Sequence, residues 1–168
     1  MPAFLTKDEE REIRSVLDQM AQEYGLSTKS HEPRFEGFYP DRIWNTKLGS
    51  EEVAVVAFEI ERGVPSNERW RKDIFNLAAS RAPLGFIIVP HQRILGATQS
   101  SVHGQTAWAW VKWYRSHGRK DFEIYSRPFP YTSIRVLDAD TLVAKRSLSE
   151  ARVWLTRVQL RKAPASRV

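Results

Sequence analysis

Apolar positions recur along this chain with two different periods, and the switch between them outlines its elements. Ile13, Val16, Leu17, Met20 and Tyr24 fall three or four residues apart, the spacing of one helix face. Thr6 and Glu9 form a capping box ahead of them, each able to satisfy a free N–H at a helix start, and Gly25 supplies the stop. The pattern predicts a helix over 7–24, with Glu12, Gln19 and Glu23 flanking the stripe on the solvent side. Val53 to Phe58 is apolar without alternation, as expected of a strand covered on both faces. Trp70, Ile74, Leu77 and Ala78 return to helical spacing over 66–82, and Gly85 to Pro90 is a second short apolar strand. Strand, helix and strand in succession imply a βαβ crossover.

The intervening stretches carry less pattern. Residues 26–34 are polar and read as irregular, 35–45 turn aromatic and β-like, and Thr46 to Ser50 has turn character. Pro40 cannot donate a ladder hydrogen bond, which places a bend or a sheet edge just before Asp41. Beyond residue 95 the expectations are a loop over 98–104, a helix over 105–116, short strands at 122–125, 134–137 and 141–144, and a final helix over 147–162 before a basic tail. With 168 residues and no internal linker, the chain reads as one domain, with a core over about 5–95 and a C-terminal elaboration over 96–168.

The chemistry gathers where the central strand ends. In a strand, residues i and i+2 point the same way, so Glu59 and Glu61 share a face while Ile60 stays in the core. Carboxylates at the end of a buried strand are costly unless a metal, a cation or water meets them. Asp41 on a neighbouring strand, Glu59, the Ile60 carbonyl and Glu61 would supply the hard oxygen ligands that Mg²⁺ prefers. Ions held this way activate water and stabilise the charge that builds on a phosphate being displaced. The plain alternative is a strand that runs out into solvent.

Charge sharpens the picture once it is divided. The net charge is +6, yet residues 1–62 hold 8 basic against 13 acidic side chains, and residues 63–168 hold 18 against 7. A basic half joined to an acidic one suggests a polyanion partner, although basic residues also serve solubility alone. The absence of cysteine excludes disulfides, thiolate zinc and a cysteine nucleophile. His31, His91, His103 and His117 lack paired zinc-ligand spacing, and neither a phosphate-binding Gly-rich loop nor a Gly-x-Ser-x-Gly elbow occurs. No apolar run approaches the ~20 residues that span a bilayer, and no signal-peptide core opens the chain. The expectation is an intracellular, cytoplasmic protein with no membrane partner.

Taken in order, the amphipathic helix, Pro40-Asp41, the hairpin, Glu59-Ile60-Glu61, the helix and the apolar strand resemble the PD-(D/E)xK nuclease superfamily over roughly residues 5–90. The resemblance implies an α/β restriction-endonuclease-like core of αβββαβ order, a central mixed sheet flanked by helices, followed here by an α+β elaboration. It aligns Pro40 and Asp41 with the family's proline and first metal ligand, and Glu59 with its second acidic ligand. Glu61 stands where the family usually carries lysine. Some restriction enzymes of the superfamily have glutamate there and remain active. The implied catalytic set is Asp41, Glu59 and Glu61, with Lys72 or Arg69 on the following helix in the role of the missing cation.

The same resemblance implies a Mg²⁺-dependent endonuclease (Mn²⁺ substituting) that hydrolyses phosphodiester bonds of double-stranded DNA. Arg69, Lys72 and Asn76, expected on the solvent side of their helix, are candidates for nucleic-acid contact, as are Lys112 and Arg115. Trp108, Trp110, Trp113 and Tyr114 suit either a buried helical stripe or stacking on unpaired bases. Paired cuts would call for a homodimer, which no residue marks. The competing expectation is a catalytically inactive module of the same fold that binds nucleic acid or a protein.

Overall fold

A computed structural model describes residues 5–29, 40–63, 67–90, 132–151 and 153–159. Helix α1 spans Lys7–Glu23 and opens on the expected capping box: the Thr6 hydroxyl accepts from the Glu9 N–H at 3.2 Å, and the Glu9 carboxylate accepts from the Thr6 N–H at 2.7 Å. Ile13, Val16, Leu17 and Met20 are buried as their spacing predicts, and Ala21 joins them. Tyr24 does not. It is the C-cap, so it leaves the helical period; 61% of it is exposed while its ring leans on Trp44.

Among the described residues, six strands form one mixed sheet in sequence order: β1 (Ser27–Lys29), β2 (Arg42–Leu48), β3 (Glu51–Ile60), β4 (Leu84–Val89), β5 (Ser133–Asp138) and β6 (Val153–Gln159). β1, β2 and β3 pair antiparallel, β3 runs parallel to β4 and β4 to β5, and β6 returns antiparallel to β5. Helix α2 (Asn67–Ala79) makes the βαβ crossover between β3 and β4. A short helix α3 (Ala139–Lys145) follows β5. No described helix is long and apolar enough to cross a membrane.

Period-two alternation divides the sheet into two packed faces. On one, Trp44, Val56, Phe58, Ile60, Phe86 and Ile88 meet the α1 stripe together with Ala139 and Leu142 of α3. The Trp44, Phe58 and Phe86 rings run in series, with centroids 4.7 Å and 5.6 Å apart. The other face takes α2, whose Ile74 and Leu77 are fully buried. Contact there is close at Gly85: a Cβ added to it would lie 3.3 Å from Leu77 and 3.4 Å from Ile134. Alternation assigns Ala57, and therefore Glu59, to this α2 face.

Several expectations need correction. Ser27–Lys29 is an edge strand rather than irregular chain, because an edge is held by backbone pairing to β2 and needs no apolar pattern. Thr46, Lys47 and Leu48 continue β2, leaving the turn to Gly49 and Ser50; Gly49 adopts the left-handed φ of +65° that glycine tolerates best. Thr141 to Ala144 is helical, since the Asp138 carboxylate caps α3 by accepting the Thr141 N–H at 2.9 Å. Where a final helix is expected over 147–162, the described residues form a turn by residue 151 and strand β6 over Val153–Gln159, consistent with the β-branched Val153, Thr156 and Val158. This C-terminal segment thus extends the central sheet. The expected helix over 105–116, with Lys112 and Arg115, the four aromatic residues on it and the strand at 122–125, lies outside the described residues.

A candidate acidic site at the end of the central strand

β3 is the strand that gathers the acids. Its antiparallel register with β2 pairs Arg42 with Phe58, so continuing it by one residue sets Asp41 opposite Glu59. Pro40 is buried just before, and ladder pairing begins only after Asp41. Asp41 bridges the two strands: its Oδ2 accepts the backbone N–H of Ile60 at 2.7 Å. Arg14 of α1 reaches it from the other side, donating through Nη2 to Oδ1 at 3.0 Å and through Nη1 to the Asp41 carbonyl at 2.9 Å. Burial opposes the Arg14 charge, but Glu10, which it also grips at 2.8 Å, and Asp41 outweigh burial and hold the guanidinium protonated.

Glu59 is 6% exposed and its Oε1 has no hydrogen-bond partner. Burial, then the Asp41 charge, push its carboxyl well above the ordinary range, while the Asn76 amide pulls the other way. Glu61 follows the last strand residue, its N–H still donating to the Ile88 carbonyl at 2.8 Å. Burial raises its carboxyl too, against Asp73, Arg69 and Lys72, which favour the charged form. Arg69 Nη1 stands 3.9 Å from Glu61 Oε2.

Asp73 of α2 joins these acids from outside the set that the sequence marks. It is 3% exposed on the sheet-facing side of α2, and its Oδ2 has no hydrogen-bond partner. Burial, then the charges of Glu61 and Glu59, push its carboxyl well above the ordinary range, and it is paired with Glu61. The signal was present: Trp70, Asp73, Ile74, Leu77 and Ala78 fit one helical stripe, and an acid on such a stripe is buried by periodicity alone. Asn76, one turn on, was expected beside Arg69 and Lys72 on the solvent side. It is 3% exposed instead, set toward Glu59, with its Oδ1 unpartnered. Arg69 and Lys72 are exposed as expected.

The structure therefore brings Asp41, Glu59 and Glu61 together at one end of β3 and adds Asp73 and Asn76 from above. As they stand, the described side chains form no ready-made cage of three metal-ligating acids or histidines. They associate instead as Asp41 with Glu59 and Glu61 with Asp73. Arg14 could not be foreseen; its spacing from Glu10 suggests only an ordinary helix-surface pair. Compared with known proteins, the chain matches no family model, no curated protein and no solved structure.

Proposed function

We propose that this protein is a divalent-metal-dependent endonuclease that hydrolyses DNA phosphodiester bonds, built on a restriction-endonuclease-like core. The observation that carries the reading is the buried acidic group itself: Glu59 and Asp73 enclosed beside Asp41 and Glu61, with unpartnered oxygens on Glu59 and Asp73. Enclosed acids that repel one another are costly to fold, and such perturbed acids cluster at functional sites. The α1-β1-β2-β3-α2-β4 order, with Pro40-Asp41 opposite Glu59-Ile60-Glu61, supports the same reading.

The donors are carboxylate and amide oxygens, the ligand type that suits Mg²⁺ or Mn²⁺ and does not favour softer metals. Asp41, Glu59 and Glu61 would hold the ion, which when bound supplies an activated water and charge stabilisation at the phosphate. The chain's own contributions are distinct. Arg14 and the Ile60 N–H fix the Asp41 carboxylate in place. Arg69 and Lys72 put positive charge at the exposed rim beside Glu61, where the family's lysine is missing and where a phosphate would approach. The basic remainder of the chain would grip the DNA backbone.

The test is nicking of supercoiled plasmid in Mg²⁺ or Mn²⁺, with EDTA as control and Asp41→Ala as the site variant. Cleavage that survives both EDTA and the substitution sinks the assignment. A second reading, an inactive module of the same fold, is favoured by one observation: Glu61 at the lysine position is associated with Asp73. Retained DNA binding without Mn²⁺ binding or cleavage would select it.

A further inference from the structure

Two side chains on α2 point to a cation site that reaches beyond the strand acids. Asp73 and Asn76 lie one helical turn apart, face the sheet, and are each 3% exposed. Asp73 Oδ2, Asn76 Oδ1 and Glu59 Oε1 are all enclosed and all without a hydrogen-bond partner. Most buried side-chain polar atoms in folded proteins are paired, so three oxygens in one cluster call for a common explanation. Turning the Asn76 amide over does not provide one. Its NH₂ lies on the Glu59 side and favours the carboxylate form that a cation would bind; reversal would withdraw that donor from Glu59.

What the cluster lacks is a positively charged partner that accepts only oxygen ligands, and a hard divalent cation is that partner. We propose that Asp73 and Asn76 ligate this divalent cation together with Asp41, Glu59 and Glu61, so that helix α2 supplies two of its five side-chain ligands. The inference rests on the metal-site reading above and extends it from the strand to the helix. Because the side chains do not already meet at one point, the cation draws Glu61, which is only partly buried, round by side-chain rotation. Asp73 and Asn76 are held by the packing of Ile74 and Leu77 against β4 and provide the rigid side of the cage.

The experiment is calorimetric titration of the full chain with MnCl₂, read alongside the Mn²⁺-induced rise in Tm. Wild type should bind, and Asp73→Asn, which keeps the shape, should weaken binding by at least about 10-fold. Asn76→Leu, which keeps volume and removes the acceptor, should weaken it severalfold. Circular dichroism reports folding, and the two variants fail independently, so loss of one fold leaves the other informative. If wild type and Asp41→Asn differ while both α2 variants bind Mn²⁺ like wild type, helix ligation is overturned and the strand site survives. If wild type binds no Mn²⁺, the metal-site reading falls and this inference with it.

Discussion

The Asp41 carboxylate accepts the Ile60 N–H at 2.7 Å, locking the start of β2 to the end of β3 where the acids collect. One oxygen of a candidate ligand is thereby committed to the scaffold, and the other is held by Arg14 at 3.0 Å. The side chain's position is fixed by the fold before any ligand arrives.

Asp41 therefore has a structural as well as a chemical role, and its substitutions should separate the two. Asp41→Ala leaves the Ile60 N–H and the Arg14 guanidinium short of an acceptor, which should destabilise the fold by about 1–3 kcal/mol. Asp41→Asn can still accept from Ile60 and should cost less than half of that. Both should abolish plasmid nicking, and urea denaturation beside the nicking assay tests the pair of expectations.

The raised carboxyls of Glu59 and Asp73 make a pH prediction. Their ordinary values are 4.5 and 3.8, and burial with mutual repulsion lifts both in the folded state. The folded form thus holds these protons more tightly than the unfolded chain. Their favourable contribution is complete below the unfolded values and disappears as pH rises from there through the folded ones. In EDTA the urea midpoint should fall as pH rises above the ordinary carboxyl values of 4.5 and 3.8. Saturating Mn²⁺ should flatten the fall, because a bound cation favours the ionised acids.

Gly85 offers a test of how α2 is seated without touching an acid. Gly85→Ala places a methyl 3.3 Å from the Leu77 side chain and 3.4 Å from that of Ile134, so these neighbours must give by a few tenths of an ångström. Overpacking of this kind costs about 1–3 kcal/mol. Leu77 lies on the same helix as Asp73 and Asn76, so yielding there disturbs their seating beside Glu59, and Mn²⁺ affinity should drop while circular dichroism still reports a folded chain.

Much of this arrangement was legible in the sequence. Thr6 with Glu9 and the stripe from Ile13 to Met20 specify α1, because capping and helical period are local properties. The two-face burial of β3 and the parallel β4 follow from unbroken apolar runs. The misread elements have local signals that tertiary pairing overrides. Ser27–Lys29 becomes a strand only because β2 lies beside it, and Val153–Gln159 only because β5 does. At the site, Asp41 and Glu59 were readable as a pair from Pro40 and the strand end. Asp73 and Asn76 were harder to see, since a polar residue on a helix is read as solvated until the sheet is known to cover it.

On the proposed function, Glu59 is kept buried beside Asp41 for metal-dependent cleavage and at a cost to stability. The measurement that tests it most directly compares wild type with Glu59→Gln for Tm in EDTA and for plasmid nicking in Mg²⁺, both at neutral pH. Removing a buried acid next to Asp41 while keeping its shape should raise Tm by about 2–6 °C and reduce cleavage on the order of 100-fold. A Glu59→Gln protein that cleaves as fast as wild type, or a wild type with no cleavage to lose, would contradict the account.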